Sequence, residues 1–291
     1  MSRVQLLYRA LPTSKATVFY REAGAQTAPT ILLLHGFPSS SHQYRNLIPI
    51  LATKYRVLAP DLPGFGFTTV PEGFQYTFDN LATVISEFLD QLKIKKFSVY
   101  IFDYGAPTGL RIALQRPDAV QAIISQNGNA YEEGLGAFWD QIRELWYSNN
   151  EPNVRAKLAS ALLSFEATKW QYEEGTQEEK LRSLAPESYH LDYALLQRPG
   201  NSEAQLDLFW DYRNNLPFYP RFQEYFRNSQ VPLLAVWGKN DQIFIQPGAE
   251  AFRRDLPGAE VVLLDAGHFA VETETAEIGE LILHFLHKNK I

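Results

Sequence analysis

FSVYIFDYGAPTGLRIAL, residues 97–114, sets an unbroken apolar, β-rich run directly against an amphipathic one. FSVYIFD is too apolar for a strand with one wet face, so it reads as a strand covered on both sides. GAPTGLRIALQRP (105–117) carries its apolar residues at helical spacing. No ordinary loop fits between the two. Asp103 therefore sits on a tight strand-to-helix turn, with Gly105 permitting close backbone approach. Alone, it would read as a cap on the helix that follows, since Asp is a favoured N-cap.

Outward from this turn, from Thr30 on, the same unit repeats: a short β-branched or Leu-rich run, a loop of Gly, Pro or Asp, then an amphipathic segment. The other runs are ILLLHGF (31–37), YRVLAPD (55–61), VQAIISQ (120–126), PLLAVWG (232–238) and EVVLLDA (260–266). Segments 78–94 and 275–288 repeat the helical spacing. This predicts a mostly parallel sheet with helices on both faces. The earlier runs VQLLYRA and ATVFYREAG predict an antiparallel leading hairpin. Between about Asn129 and Pro217 the strands vanish, and helix-prone segments rich in Trp, Tyr, Gln and Glu take over. The expected organisation is an α/β core from 1–128 and 218–291, with a helical cap at 129–217 over the carboxyl ends of the strands, where such sheets bind ligands.

Composition narrows the chemistry. The chain has 291 residues, 45% hydrophobic and 21% charged, with no apolar run long enough to span a bilayer and no charged-then-apolar leader at Met1. A cytoplasmic protein is expected. A net charge of −6 with dispersed Lys and Arg offers no basic stripe for nucleic acid or an anionic membrane. The absence of cysteine excludes disulfides, thiolate metal sites and a thiol nucleophile. No His and carboxylate cluster outside Asp103, Asp241 and His268 has ligand spacing, so no metal or cofactor is expected. The expected partners are a small apolar organic substrate and water; a homo-oligomer is compatible with the chain.

The strand ends hold the remaining chemistry. His35-Gly36-Phe37-Pro38 follows a buried strand, where backbone N–H groups can face a developing oxyanion. Asp241 ends PLLAVWGKND, and His268 lies in LLDAGHFA. Asp241 alone would be a turn residue and His268 a histidine satisfied by backbone. Their coincidence at successive strand ends, in nucleophile, acid, base order, argues instead for a catalytic set. His42, His190, His284 and His287 fall on helical segments and do not compete.

With HGFP (35–38), APDLPGFG (59–66), FDYGAP (102–107), WGKND (237–241) and AGHFA (266–270) in place, the chain resembles the epoxide hydrolase and haloalkane dehalogenase branch of the α/β-hydrolase superfamily from about Val18 to its end. ISQNGNAYEEGLG (124–136) and QLDLFWDYRNN (205–215) resemble a microbial subgroup described as epoxide hydrolases. The turn at Asp103 then corresponds to the nucleophile elbow, with Asp in place of Ser. Two positions depart from relatives: Tyr104 stands where Trp is common, and Ile101 where the serine enzymes prefer Gly.

A carboxylate attacking an acyl carbon would form a reactive anhydride, whereas attack on a saturated carbon forms an ester that water can cleave. The electrophile is thus expected to be an epoxide or a haloalkane carbon. His268, held by Asp241, would activate water against the Asp103 ester, with the N–H groups of Phe37 and Tyr104 holding the oxyanion. An epoxide oxygen needs a proton on leaving; a halide needs only N–H donors. By resemblance, Tyr212 corresponds to the acid tyrosine and Tyr147 to its early-cap partner, with Tyr131 and Tyr172 as rivals for the latter. Phe37, Tyr104, Trp210 and Tyr131 are expected to line the substrate site. A dehalogenase would instead use Trp210, Trp139 or Trp146 as halide donors. The HGFP turn lacks a side-chain donor at Phe37, which favours the epoxide. The fluoroacetate type is disfavoured, since neither Tyr104 nor Gly105 matches its arginine after the nucleophile. A non-catalytic receptor on this fold has no sequence feature in its favour.

Overall fold

The computed structural model describes residues 5–291; Val4 of the first predicted run and the expectation about a leader at Met1 lie outside them. Strands β1 (Leu7–Pro12), β2 (Thr17–Ala23), β3 (Thr30–Leu34), β4 (Arg56–Pro60), β5 (Phe97–Phe102), β6 (Val120–Gln126), β7 (Leu233–Gly238) and β8 (Glu260–Leu264) form one sheet. Its order is β1-β2-β4-β3-β5-β6-β7-β8. Strands β4, β3, β5, β6, β7 and β8 run parallel, while β1 pairs antiparallel with β2 and β2 antiparallel with β4. The hairpin expected at the start of the chain thus closes one edge.

Alternation along the strands sorts the core into two layers. Ile31, Leu33, Tyr100, Phe102, Ala122 and Ile124 face one side, while Leu32, Leu34, Val99, Ile101 and Ile123 face the other. Both faces are apolar because both are covered: β3 and β5 are buried along their whole length. Helices α1 (Leu47–Leu51), α2 (Phe78–Gln91) and α3 (Gly105–Gln115) take their places between strands. Leu81, Ile85 and Leu110 of α2 and α3 join the Leu32 layer; Leu47 and Leu51 of α1 join the Leu33 layer.

Between β6 and β7 the chain forms no β-strand. It builds α4 (Asp140–Tyr147), α5 (Pro152–Leu162), α6 (Phe165–Glu173), α7 (Glu178–Leu181), α8 (Pro186–Leu196), α9 (Asn201–Asp211) and α10 (Tyr219–Ser229). Helices α4, α5 and α9 pack on one another, whereas α10 packs on α3 and on α11 (Pro247–Asp255). Helices α12 (Ala270–Thr273) and α13 (Thr275–Lys288) end the chain. Among the described residues no helix is long and apolar enough to cross a membrane.

The β5–α3 turn depends on bare backbone. A Cβ added at Gly105 would stand 2.2 Å from the Leu34 carbonyl oxygen, so α3 packs on β3 only because nothing projects there. Gly105→Ala must push helix and strand apart, and we expect it to cost about 1–3 kcal/mol, the usual penalty for overpacking a fixed backbone contact. Urea denaturation reads this directly; a variant with wild-type stability would show that the contact is not rigid.

Candidate active site

Asp103 follows β5 with a left-handed φ of 47°, a strained conformation for a residue with a Cβ. The expectation that it might merely cap α3 fails, because that helix has no side-chain cap hydrogen bond. Its carboxylate instead points across to the turn after β3, where the Phe37 N–H donates to Oδ1 at 2.5 Å. Gly36 makes this approach possible: a Cβ there would lie 2.0 Å from Asp103 Oδ1. His35 fixes the same turn from beneath, with Nε2 accepting the Leu62 N–H at 2.9 Å and Nδ1 donating to the Gly36 carbonyl at 3.1 Å. Burial pushes the Asp103 carboxyl up to about 6, against the opposing pull of His268 and of the Tyr104 and Phe37 N–H groups.

Asp241 and His268 come from the loops after β7 and β8, at the same carboxyl ends of the parallel strands. Asp241 follows β7, and its Oδ2 accepts from His268 Nδ1 at 2.8 Å. Because a carboxylate can only accept, Nδ1 carries a proton, and in the neutral ring Nε2 keeps its lone pair. Nε2 is buried and has no hydrogen-bond partner among the described residues. Burial pulls the imidazole pKa down, but the charge of Asp241, its hydrogen bond and the charge of Asp103 outweigh it and leave the group raised. Asp241 is itself anchored: its Oδ1 accepts the Ile243 N–H at 2.7 Å, and Asn127 Nδ2 donates to its Oδ2, also at 2.7 Å.

Asn127 escaped the sequence reading. It stands just past β6 with φ 48°, and its Oδ1 also accepts from the Gly238 N–H at 2.9 Å. The Asn-Gly pair at 127–128 signals a turn and nothing more, since the direction of a turn side chain depends on the neighbouring strand.

The aromatic residues of the helical stretch separate into those at the site and those away from it. Tyr212 is at the site: fully buried, its ring lies 5.9 Å from Tyr104, 5.5 Å from Phe78 and 4.2 Å from Trp139. Phe209 joins it, 5.0 Å from the Phe37 ring. Tyr147 is not; its side chain is 83% exposed, and its neighbour Trp146 is the one that stacks on Tyr212. Amphipathic phase is the cause, because α4 turns Ile142 and Leu145 inward and carries Tyr147 out. Tyr131 also leaves the expected site, donating its hydroxyl to Asp255 Oδ2 at 3.0 Å. Tyr172 donates to Asp192. Trp210 lines a surface groove with Tyr76 and Arg213, whose guanidinium lies 3.4 Å over its ring.

Two of the three indole donors expected for a halide are committed elsewhere. Trp139 Nε1 donates to the Ile243 carbonyl and Trp146 Nε1 to the Phe209 carbonyl, each at 2.8 Å. The arrangement around Asp103 is therefore a buried carboxylate under backbone N–H groups, a histidine with a free Nε2, and a wall of Phe37, Phe65, Tyr104, Phe209, Tyr212 and Phe244. A surface groove of about 730 Å³ between Leu114, Arg221, Tyr225 and Val231 lies at the opposite, amino-terminal ends of β6 and β7. Among the described residues no group of three or more His, Asp or Glu stands close enough to hold a metal ion.

Folding favours the neutral form of Asp103, because its pKa rises from 3.8 to about 6 on burial. That contribution is full below pH 3.8 and is lost as pH rises through about 6. At pH 8 the ionised group is then a net cost of about 1–3 kcal/mol. Asp103→Asn should raise the thermal midpoint at pH 8 by roughly 2–10 °C and leave it unchanged at pH 4. An Asn variant no more stable than wild type at pH 8 would refute this electrostatic account.

The alpha/beta hydrolase fold family model matches residues 29–275, from just before β3 to the first residue of α13. The chain is 49% identical to an uncharacterised hydrolase of Saccharomyces cerevisiae over 274 residues, 94% of each chain. It is 37% identical over 119 residues to haloalkane dehalogenase 2 of Mycobacterium tuberculosis, 41% of each chain. Its fold superposes with a TM-score of 0.78 on a Pseudomonas aeruginosa protein described as a candidate epoxide hydrolase, at 21% identity, covering 98% of this chain and 96% of the other. Sheet order, the turn at Asp103 and the matched span agree, and the chain belongs to the α/β-hydrolase-fold family.

Proposed function

We propose that this hydrolase opens small apolar epoxides to vicinal diols through an ester on Asp103. The observation that carries the reading is the buried Tyr212 hydroxyl, whose ring lies 5.9 Å from that of Tyr104 beside the nucleophile, while the indoles of Trp139 and Trp146 spend their N–H groups on backbone carbonyls. An epoxide oxygen departs as an alkoxide and needs a proton; a halide needs N–H donors.

In the first half, an Asp103 carboxylate oxygen attacks an epoxide carbon, the carbon–oxygen bond breaks, and Tyr212 gives its proton to the leaving alkoxide. Burial raises the Tyr212 pKa, with the charge of Asp103 adding to the effect, so the phenol carries its proton at neutral pH. In the second half, His268 Nε2 takes a proton from water and hydroxide attacks the ester carbonyl. The Phe37 and Tyr104 N–H groups hold the oxyanion until the diol leaves. As the tetrahedral intermediate collapses, the departing diol oxygen takes the proton left on the attacking hydroxide oxygen, Asp103 returns to a carboxylate, and the proton collected by His268 restores the Tyr212 phenol. Residues 129–217 act in this scheme as a cap: their aromatic side chains desolvate the carboxylate and select an apolar substrate.

The identity with a haloalkane dehalogenase keeps halide displacement by the same Asp103 as the second reading. Wild-type enzyme and Tyr212→Phe, each given styrene oxide and a bromoalkane, decide between them. We expect epoxide opening by wild type and a fall of about 10²-fold in the alkylation rate of Tyr212→Phe, the usual weight of a general acid. Folding stability should change little, since the ring stays. Bromide release by a wild type that ignores epoxides would replace the epoxide reading with the dehalogenase one.

A further inference from the structure

We infer that Asn129 and Tyr219 are positioning residues that fix the direction in which the Tyr212 hydroxyl donates. The inference rests on the epoxide reading and concerns the part of the ISQNGNAYEEGLG stretch at 124–136 that lies beyond Asn127 and that neither the triad nor the oxyanion turn explains.

The direction starts at Asn129, which is 1% exposed. Its Nδ2 donates to the Tyr131 carbonyl at 2.7 Å and to the Tyr219 hydroxyl oxygen at 3.3 Å, while its Oδ1 accepts the Tyr131 N–H at 3.3 Å. A flipped amide would set oxygen against a carbonyl and N–H against N–H, so the orientation is determined by the backbone. The slot is cut to this side chain: a Cβ at Gly134 would lie 2.2 Å from Asn129 Oδ1, and one at Gly248 2.7 Å.

Tyr219, 1% exposed, receives the Asn129 N–H and has one proton of its own to place. Its other partner is the Tyr212 hydroxyl at 3.1 Å. If Tyr212 donated to Tyr219, the Tyr219 proton would be buried without an acceptor. Hydrogen-bond satisfaction therefore runs the chain one way, from Asn129 N–H to Tyr219 oxygen and from Tyr219 O–H to Tyr212 oxygen. The Tyr212 proton is left free for the leaving oxygen, and the phenolate formed when it departs already holds a hydrogen bond from Tyr219. No proton need move along the chain; Tyr219 keeps its own.

Single-turnover alkylation by styrene oxide, measured in wild type, Tyr219→Phe, Tyr212→Phe and the double variant, tests the coupling. Tyr219→Phe should slow alkylation about tenfold, the loss of one hydrogen bond to a developing charge, and should add nothing in the Tyr212→Phe background. A merely structural role for Tyr219 would give the same loss in both backgrounds, which would overturn the inference, as would wild-type alkylation by Tyr219→Phe. Asn129→Ala, put through the same cycle, decides the matter if Tyr219→Phe does not fold; its loss should likewise vanish without the Tyr212 hydroxyl. A wild type that opens no epoxide removes both the relay and the epoxide reading, whereas epoxide opening with no coupling removes the relay alone.

Discussion

The hydrogen bond from the Phe37 N–H to Asp103 Oδ1, at 2.5 Å, is the constraint around which the site is built. It joins the turn after β3 to the turn after β5, and both turns must be sharp for it to exist. Asp103 accepts a left-handed φ, Gly36 gives up a side chain so that the carboxylate can approach, and Gly105 lets α3 start against β3. In the proposed reaction the same bond serves twice, because the N–H that steadies the carboxylate would also hold an oxyanion on an ester derived from it. Burial destabilises the ionised acid and the charge of Asp241 adds to this, while His268 and the two N–H groups partly offset it. A carboxylate held buried and thinly solvated is a stronger nucleophile than one in water.

Much of this was legible in the chain. Continuous apolar runs ending in Asp, Gly or His marked strands covered on both faces, and β3 through β8 stand where those runs stand. The direct junction of FSVYIFD with GAPTGLRIAL forced a tight turn, and the chain order of Asp103, Asp241 and His268 placed three groups at strand ends that the sheet then brings together.

The helical stretch was far less legible, for a physical reason. In the sheet, period-two alternation and a fixed strand order dictate which way each side chain points. Between β6 and β7 the helices are short, linked by irregular turns and aromatic on several faces, so phase decides everything. Tyr147 and Trp146 are adjacent, yet the first is in solvent and the second stacks on Tyr212. Trp210 and Phe209 divide in the same way, with Phe209 against Phe37 and Trp210 under Arg213. Asn127, Asn129 and Tyr219 stayed hidden because their roles lie in contacts across 90 residues or more.

The two readings proposed for this chain share one nucleophile, and what divides them is the treatment of the leaving group. Both share the covalent ester on Asp103, so the ester is the claim on which the rest stands. A single turnover in heavy-oxygen water with enzyme in excess over an epoxide tests it most directly. The account predicts the label in the Asp103 carboxylate and an unlabelled diol, since the diol takes its new oxygen from the protein. Label in the diol, with none in the protein, would mean that water attacks the substrate directly and would contradict it.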